Sequence, residues 1–100
     1  MVVSRFGHEL RTLRKRNGLS LKELGPALGV NYTYLSKIEN GRSTPSEELV
    51  LRMGRYFGVD HEELLLAADR IPEDIRRILR ENPREALAYL RERFTRGSRP

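Results

Sequence analysis

Cysteine is absent from the 100 residues, so neither a disulfide framework nor a thiolate metal site is available. Histidine occurs only at His8 and His61, on different expected helices and without ligand spacing. Apolar residues make up 38% of the sequence and nowhere run long enough to cross a bilayer. A chain without a secretory leader, in a reducing cytoplasm, is the expectation. Catalytic parts are equally scarce. No nucleophile stands beside a plausible base, no Gly-rich loop is placed to cradle phosphate, and helix caps and surface account for the Ser, Asp, Glu and His residues. The expectation is a protein without enzymatic activity and without a cofactor.

What is present is cationic and helical. The net charge is +5, which favours a polyanionic partner. Arg5, Arg11, Arg14, Lys15 and Arg16 face Glu9 alone in the first nineteen residues, whereas acids outnumber arginines over residues 46–70. A first helix is expected over Ser4–Arg16, with Phe6, Leu10 and Leu13 as its buried stripe and Asn17-Gly18 as its stop.

Gly18 to Gly41, GLSLKELGPALGVNYTYLSKIENG, then describes two short helices across a tight turn. Ser20 and Glu23 form an S-x-x-E capping box for the first, Ser20–Leu28, whose apolar side is Leu24 and Leu28. Gly25 is small where two crossing helices approach closely. Gly29 ends the helix and Val30 tucks under the turn. Asn31 caps the next helix, whose buried stripe is Leu35 and Ile38, and Gly41 closes it. Its outer face carries small polar and hydroxyl side chains rather than a run of Glu and Lys. Pro26 departs from the pattern, because inside a helix it removes a backbone donor and opposes the preceding turn. Either a kinked helix or a looser first turn is expected there.

With its flanks, from about Phe6 to Leu65, this segment resembles the DNA-binding domain of the Cro/C1-type (xenobiotic-response-element) family of phage and bacterial repressors. The resemblance implies an all-α fold, a compact five-helix lambda-repressor-like helix-turn-helix domain. It also implies double-stranded DNA as partner, with the third helix in the major groove. By motif position Tyr32, Thr33, Ser36 and Lys37 would read bases. Lys37 can donate to guanine O6 and N7, and the Thr33 and Ser36 hydroxyls can donate or accept. The Tyr32 ring or the Thr33 methyl can pack on a thymine methyl. Leu21, Asn31, Tyr34, Asn40, Gly41, Arg42 and Ser43 occupy the positions that meet the sugar-phosphate backbone, with Tyr34 at the groove wall. Members of the family bind near-palindromes as two-fold dimers with half-sites roughly 34 Å apart. A homodimeric, nucleoid-associated repressor is the expectation that follows.

Pro45 ends any continuation of the third helix, and Ser46 caps a fourth with Val50, Met53 and Phe57 inward. Gly58 stops it, and Asp60 with Glu63 repeats the capping-box pattern for a fifth helix carrying Leu64 and Leu65. The first domain is expected over residues 1–68. Residues 69–95 then read as a helical hairpin: Glu73–Glu81 with Ile75, Ile78 and Leu79, then a helix capped by Asn82 with Pro83 first and Ala86, Leu87, Leu90 and Phe94 along it. So small a hairpin cannot bury its own apolar faces, and dimerisation is the expected use. A protein partner, in an antitoxin-like or adaptor role, is the alternative. The tail 96–100 is expected to be disordered.

Overall fold

The computed structural model describes residues 5–95, and every regular element among them is a helix. These are α1 (Arg5–Arg16), α2 (Leu21–Leu28), α3 (Tyr32–Glu39), α4 (Glu47–Phe57), α5 (His61–Ala67), α6 (Glu73–Glu81) and α7 (Pro83–Phe94). The expected start at Ser4 and the expected disordered tail, 96–100, lie outside the described residues. Between Arg70 and Ile71 the chain divides into two units.

In the first unit α1 meets α3 and α5, α2 meets α3 and α4, and α4 meets α5. The seam is apolar because each helix repeats its large aliphatics at three- and four-residue spacing. Phe6, Leu10 and Leu13 of α1 pack with Leu24 and Leu28 of α2 and with Leu35 and Ile38 of α3. Leu49, Val50 and Met53 of α4 and Leu64 and Leu65 of α5 complete the core. Phe57 is only half-buried at its margin, edge-on to Tyr56.

The helix ends follow local chemistry. The Ser20–Glu23 capping box is complete: the Glu23 N–H donates to Ser20 Oγ at 3.1 Å and the Ser20 N–H to Glu23 Oε1 at 2.8 Å. The first turn of α2 is therefore closed, and Pro26 lies inside a helix that continues to Leu28. Pro26 and Lys22, four residues before it, are both exposed, so the carbonyl deprived of its donor faces water. Gly29 ends α2 in the left-handed conformation, φ 72°, with its N–H bonded to Pro26 O and that of Val30 to Gly25 O. Val30 then folds onto the core. The same turn closes α1 before Leu19 and α4 before Val59, and it closes α5 at Asp69, which takes φ 60° without being glycine.

Two expected caps differ. Asp60 caps α5 alone, accepting from the Glu62 N–H at 2.8 Å, and no Glu63 bond to its backbone accompanies it. Asn82 makes no side-chain cap on α7. Its Nδ2 instead donates back to Ile78 O at 3.1 Å, because its φ of −135° and ψ of 54° aim the amide at the end of α6. In the second unit α6 and α7 pack on each other, and neither contains a buried residue.

Candidate nucleic-acid interface

The inner face of α3 is Leu35, Ile38 and Glu39; the outer face is set by what remains. Tyr32, Thr33 and Lys37 are exposed and Ser36 is half-buried. The Thr33 and Ser36 hydroxyls and the Lys37 ammonium make no hydrogen bond or ion pair with any described residue. Four side chains with donor, acceptor and apolar capacity thus share one outward surface over the first six residues of an eight-residue helix. That is the chemistry which matches base edges in a major groove.

Position and angle of this helix come from three sources. Asn31 Oδ1 accepts from the Thr33 N–H at 2.7 Å and starts α3 at a defined residue. Gly25 lets α2 and α3 touch, since a Cβ there would lie 2.9 Å from Val30 O and 3.1 Å from Tyr32 N. The third source is ionic. Glu39 is only 2% exposed and receives Arg14 Nε at 2.7 Å and Nη2 at 3.0 Å, with Arg11 Nε at 3.3 Å. The remaining Arg14 nitrogen, Nη1, donates to Leu19 O at 3.0 Å, so the guanidinium spans α1, the loop after it and α3. The Glu39 carboxylate raises the Arg14 pKa above its usual value by hydrogen bonding, against an opposing desolvation.

This cluster redistributes the N-terminal cations. Arg14 and, in part, Arg11 are committed to Glu39 rather than free for a polyanion. The segmental charge count does not distinguish committed from free cations. The signal was nonetheless present: Arg14 lies four residues after Leu10, and Glu39 four after Leu35, so opposite charges continue two apolar stripes. Arg52 is another committed cation. Its Nη1 donates to Leu28 O at 3.0 Å and its Nη2 to Glu48 at 2.8 Å, closing the end of α2 from α4.

The expected backbone-contact residues divide into groups. Asn40, Gly41 and Arg42 form the turn after α3: the Gly41 N–H bonds to Ile38 O, the Arg42 N–H to Lys37 O, and Gly41 takes φ 75°. After α1, α2 and α4 the same turn delivers Leu19, Val30 and Val59 onto the core. After α3 it delivers Arg42 to solvent, exposed and without an ion pair among the described residues. Ser43 beside it is half-buried. Asn40 Nδ2 is used on Ser36 O at 2.9 Å. Tyr34 is half-buried against the core, and its hydroxyl donates to Thr44 O at 3.1 Å and accepts from the Ser46 N–H at 3.2 Å. It thereby fixes the loop leading to α4. Leu21 packs partly against the core, leaving its backbone N–H, at the first turn of α2, as its only polar donor toward solvent.

A family described as "Helix-turn-helix domain" matches residues 5–67. The chain is 37% identical over 78 residues to the uncharacterized HTH-type transcriptional regulator RghRB of Bacillus subtilis, covering 74% of this chain and 56% of that protein. It therefore spans little more than half the length of that curated relative. Among solved structures, it resembles the restriction-modification controller protein C.AhdI of Aeromonas hydrophila with TM-score 0.57 and 29% identity, over 62% of this chain and 94% of that one. The clp gene regulator ClgR of Corynebacterium glutamicum matches with TM-score 0.57 and 28% identity over 92% of each chain.

Proposed function

The chain belongs to the helix-turn-helix domain family, and from that membership we propose that it is a sequence-specific, double-stranded DNA-binding transcriptional regulator acting in the cytoplasm. The observation that carries this reading is the outer face of α3. Tyr32, Thr33, Ser36 and Lys37 line its outward side, the last three with no polar side-chain partner among the described residues, and the turn that follows presents Arg42 instead of an apolar residue. In this reading Lys37 reads a base, with Thr33, Ser36 and Tyr32 beside it. Arg42, Ser43 and the backbone donors of Leu21 and Asn31 hold phosphate, while Asn40 and Gly41, their N–H groups bonded within the turn, shape the loop that meets the backbone. Repression follows by occupying an operator that overlaps a promoter.

A single domain of this size covers one half-site, and we propose that it acts as a homodimer on a palindromic operator. The α6–α7 hairpin supports this. Ile75, Ile78, Leu79, Ala86, Tyr89 and Leu90 line an open groove of about 400 Å³, and Phe94 is 73% exposed. α6 opens on Glu73 and Asp74, and α7 closes on Arg91 and Arg93 with Glu92 between them. Pairing with a second copy covers the apolar groove, which a monomer leaves in water.

Selection of bound sequences from a random duplex pool tests the reading. A two-fold symmetric consensus is expected. Lys37→Ala should weaken binding by about 1–3 kcal/mol and relax preference at one base pair, while Arg42→Ala weakens all sequences alike. A pool without consensus overturns the regulator reading. Sedimentation of a strict monomer on the selected duplex overturns the dimer.

A further inference from the structure

The first turn of α2 holds a cation that none of the roles above uses. Lys22 is exposed, its ammonium makes no ion pair among the described residues, and its Nζ stands 5.8 Å from the centroid of the Tyr32 ring. Glu23, the adjacent acid, does not pair with it; its carboxylate is bonded to the Ser20 N–H instead. Tyr32 is held in place by backbone. It is the first residue of α3, and at Gly25 the two helices are so close that a Cβ would fall 3.2 Å from Tyr32 Cβ. Lys22 and Gly25 lie three residues apart on one side of α2. The close crossing that places Tyr32 against Gly25 therefore also lays its ring beneath Lys22. An aromatic face attracts an ammonium at this distance and narrows the volume that a four-carbon chain would otherwise sweep.

In a helix-turn-helix the first helix of the pair crosses the sugar-phosphate backbone while the second enters the groove. Lys22 sits on the first of these, beside the N-terminal end of the second. We propose that Lys22 is an additional phosphate contact and that the Tyr32 ring is its positioning group, so the two side chains form one unit spanning the groove edge. The unit rests on the DNA-binding reading. Within it Tyr32, 44% exposed as a residue, has two uses: its ring holds Lys22, and its edge and hydroxyl are left for the groove. A ring face occupied by Lys22 is unavailable to a thymine methyl, which leaves the ring edge and hydroxyl for base contact.

Fluorescence anisotropy on the selected duplex across a series of KCl concentrations tests this with the whole 100-residue chain. Each phosphate neutralised contributes about 0.9 to the slope of log affinity against log salt. Lys22→Ala should lower the slope by about that amount and leave the base preference unchanged. Tyr32→Phe, which keeps the ring, should retain the slope, and Tyr32→Leu should lose part or all of the same increment. Lys22→Ala combined with Tyr32→Leu should lower the slope no further than Lys22→Ala alone. Circular dichroism melts confirm that each variant is folded, and Arg42→Ala serves as the phosphate control. An unchanged slope in Lys22→Ala, with a reduced one in Arg42→Ala, overturns the Lys22 contact and leaves the DNA reading standing. A full slope in Tyr32→Leu overturns the positioning role. Absence of salt-dependent duplex binding by the unaltered protein overturns both readings together.

Discussion

The helices before Arg70 and the two after it are built from similar sequence and reach opposite outcomes. From α1 to α5, aliphatic residues at helical spacing are almost all buried, and the single buried charge, Glu39, is met by two arginines. Along α6 and α7 the same spacing recurs, yet Ile75, Ile78, Leu87, Tyr89, Leu90 and Phe94 all remain exposed. Amphipathicity specifies which side of a helix seeks cover but not whether cover exists. Five helices can enclose a common interior, whereas two present their apolar sides to a groove that stays open. The first unit is thus a folded scaffold for α3, and the second an open apolar surface for which a second copy is the proposed cover.

The sharpest way to break the first unit is to strand its buried charge. Arg14→Ala should cost about 3–5 kcal/mol in urea unfolding, because Glu39 loses its principal partner inside the core. Retention of near-wild-type stability would mean that Glu39 is solvated after all. Next comes a direct contrast between the units. Leu35→Ala should cost about 2–5 kcal/mol. Leu90→Ala, at an exposed site, should cost the monomer under about 1 kcal/mol. Its main effect should be a raised dissociation constant of the proposed dimer in sedimentation equilibrium, and equal losses at the two sites would erase the contrast between the units.

Gly25→Ala should cost about 1–3 kcal/mol, since the added methyl meets the Val30 carbonyl and the Tyr32 backbone rather than a flexible side chain. Its DNA affinity should fall by more than the unfolded fraction explains, as α3 is displaced from α2. The smallest effect is titrational. The Ser20 N–H, and then the Ser20 side chain, hold the Glu23 carboxyl below its ordinary value. A depressed carboxylate pKa contributes stability above the unfolded value, and that contribution is lost as pH falls through the folded one. Acid melting of Glu23→Gln should therefore show a shallower loss between neutral pH and the carboxylate range. A parallel pair of curves would show that the Glu23 charge contributes nothing at this exposed site, since glutamine can still close the box.

Much of this architecture is legible along the chain. The Ser20–Glu23 box, the Asn31 and Ser46 caps, the glycine stops and the aliphatic stripes each depend on residues no more than four or five apart. Their geometry is dictated by the helix itself. Pro26 was the point at which that logic gave two answers. The structure resolves it with an intact first turn and a helix continuing to Leu28, the donorless position turned to water. Asn82 shows the reverse case, where a good capping residue sits between two helices and only the backbone angles determine which of them it serves.

The sequence by itself determined seven helical segments, their apolar faces and the outward chemistry of Thr33, Ser36 and Lys37. Only the tertiary structure decided that Arg14 and Arg11 converge on Glu39, that Tyr34 spends its hydroxyl between Thr44 and Ser46, and that Lys22 rests over Tyr32. Those contacts join residues ten to twenty-eight positions apart, and most of them cross from one helix to another. Crossing angles arise from the packing of all five helices together, so no local rule at either residue contains them.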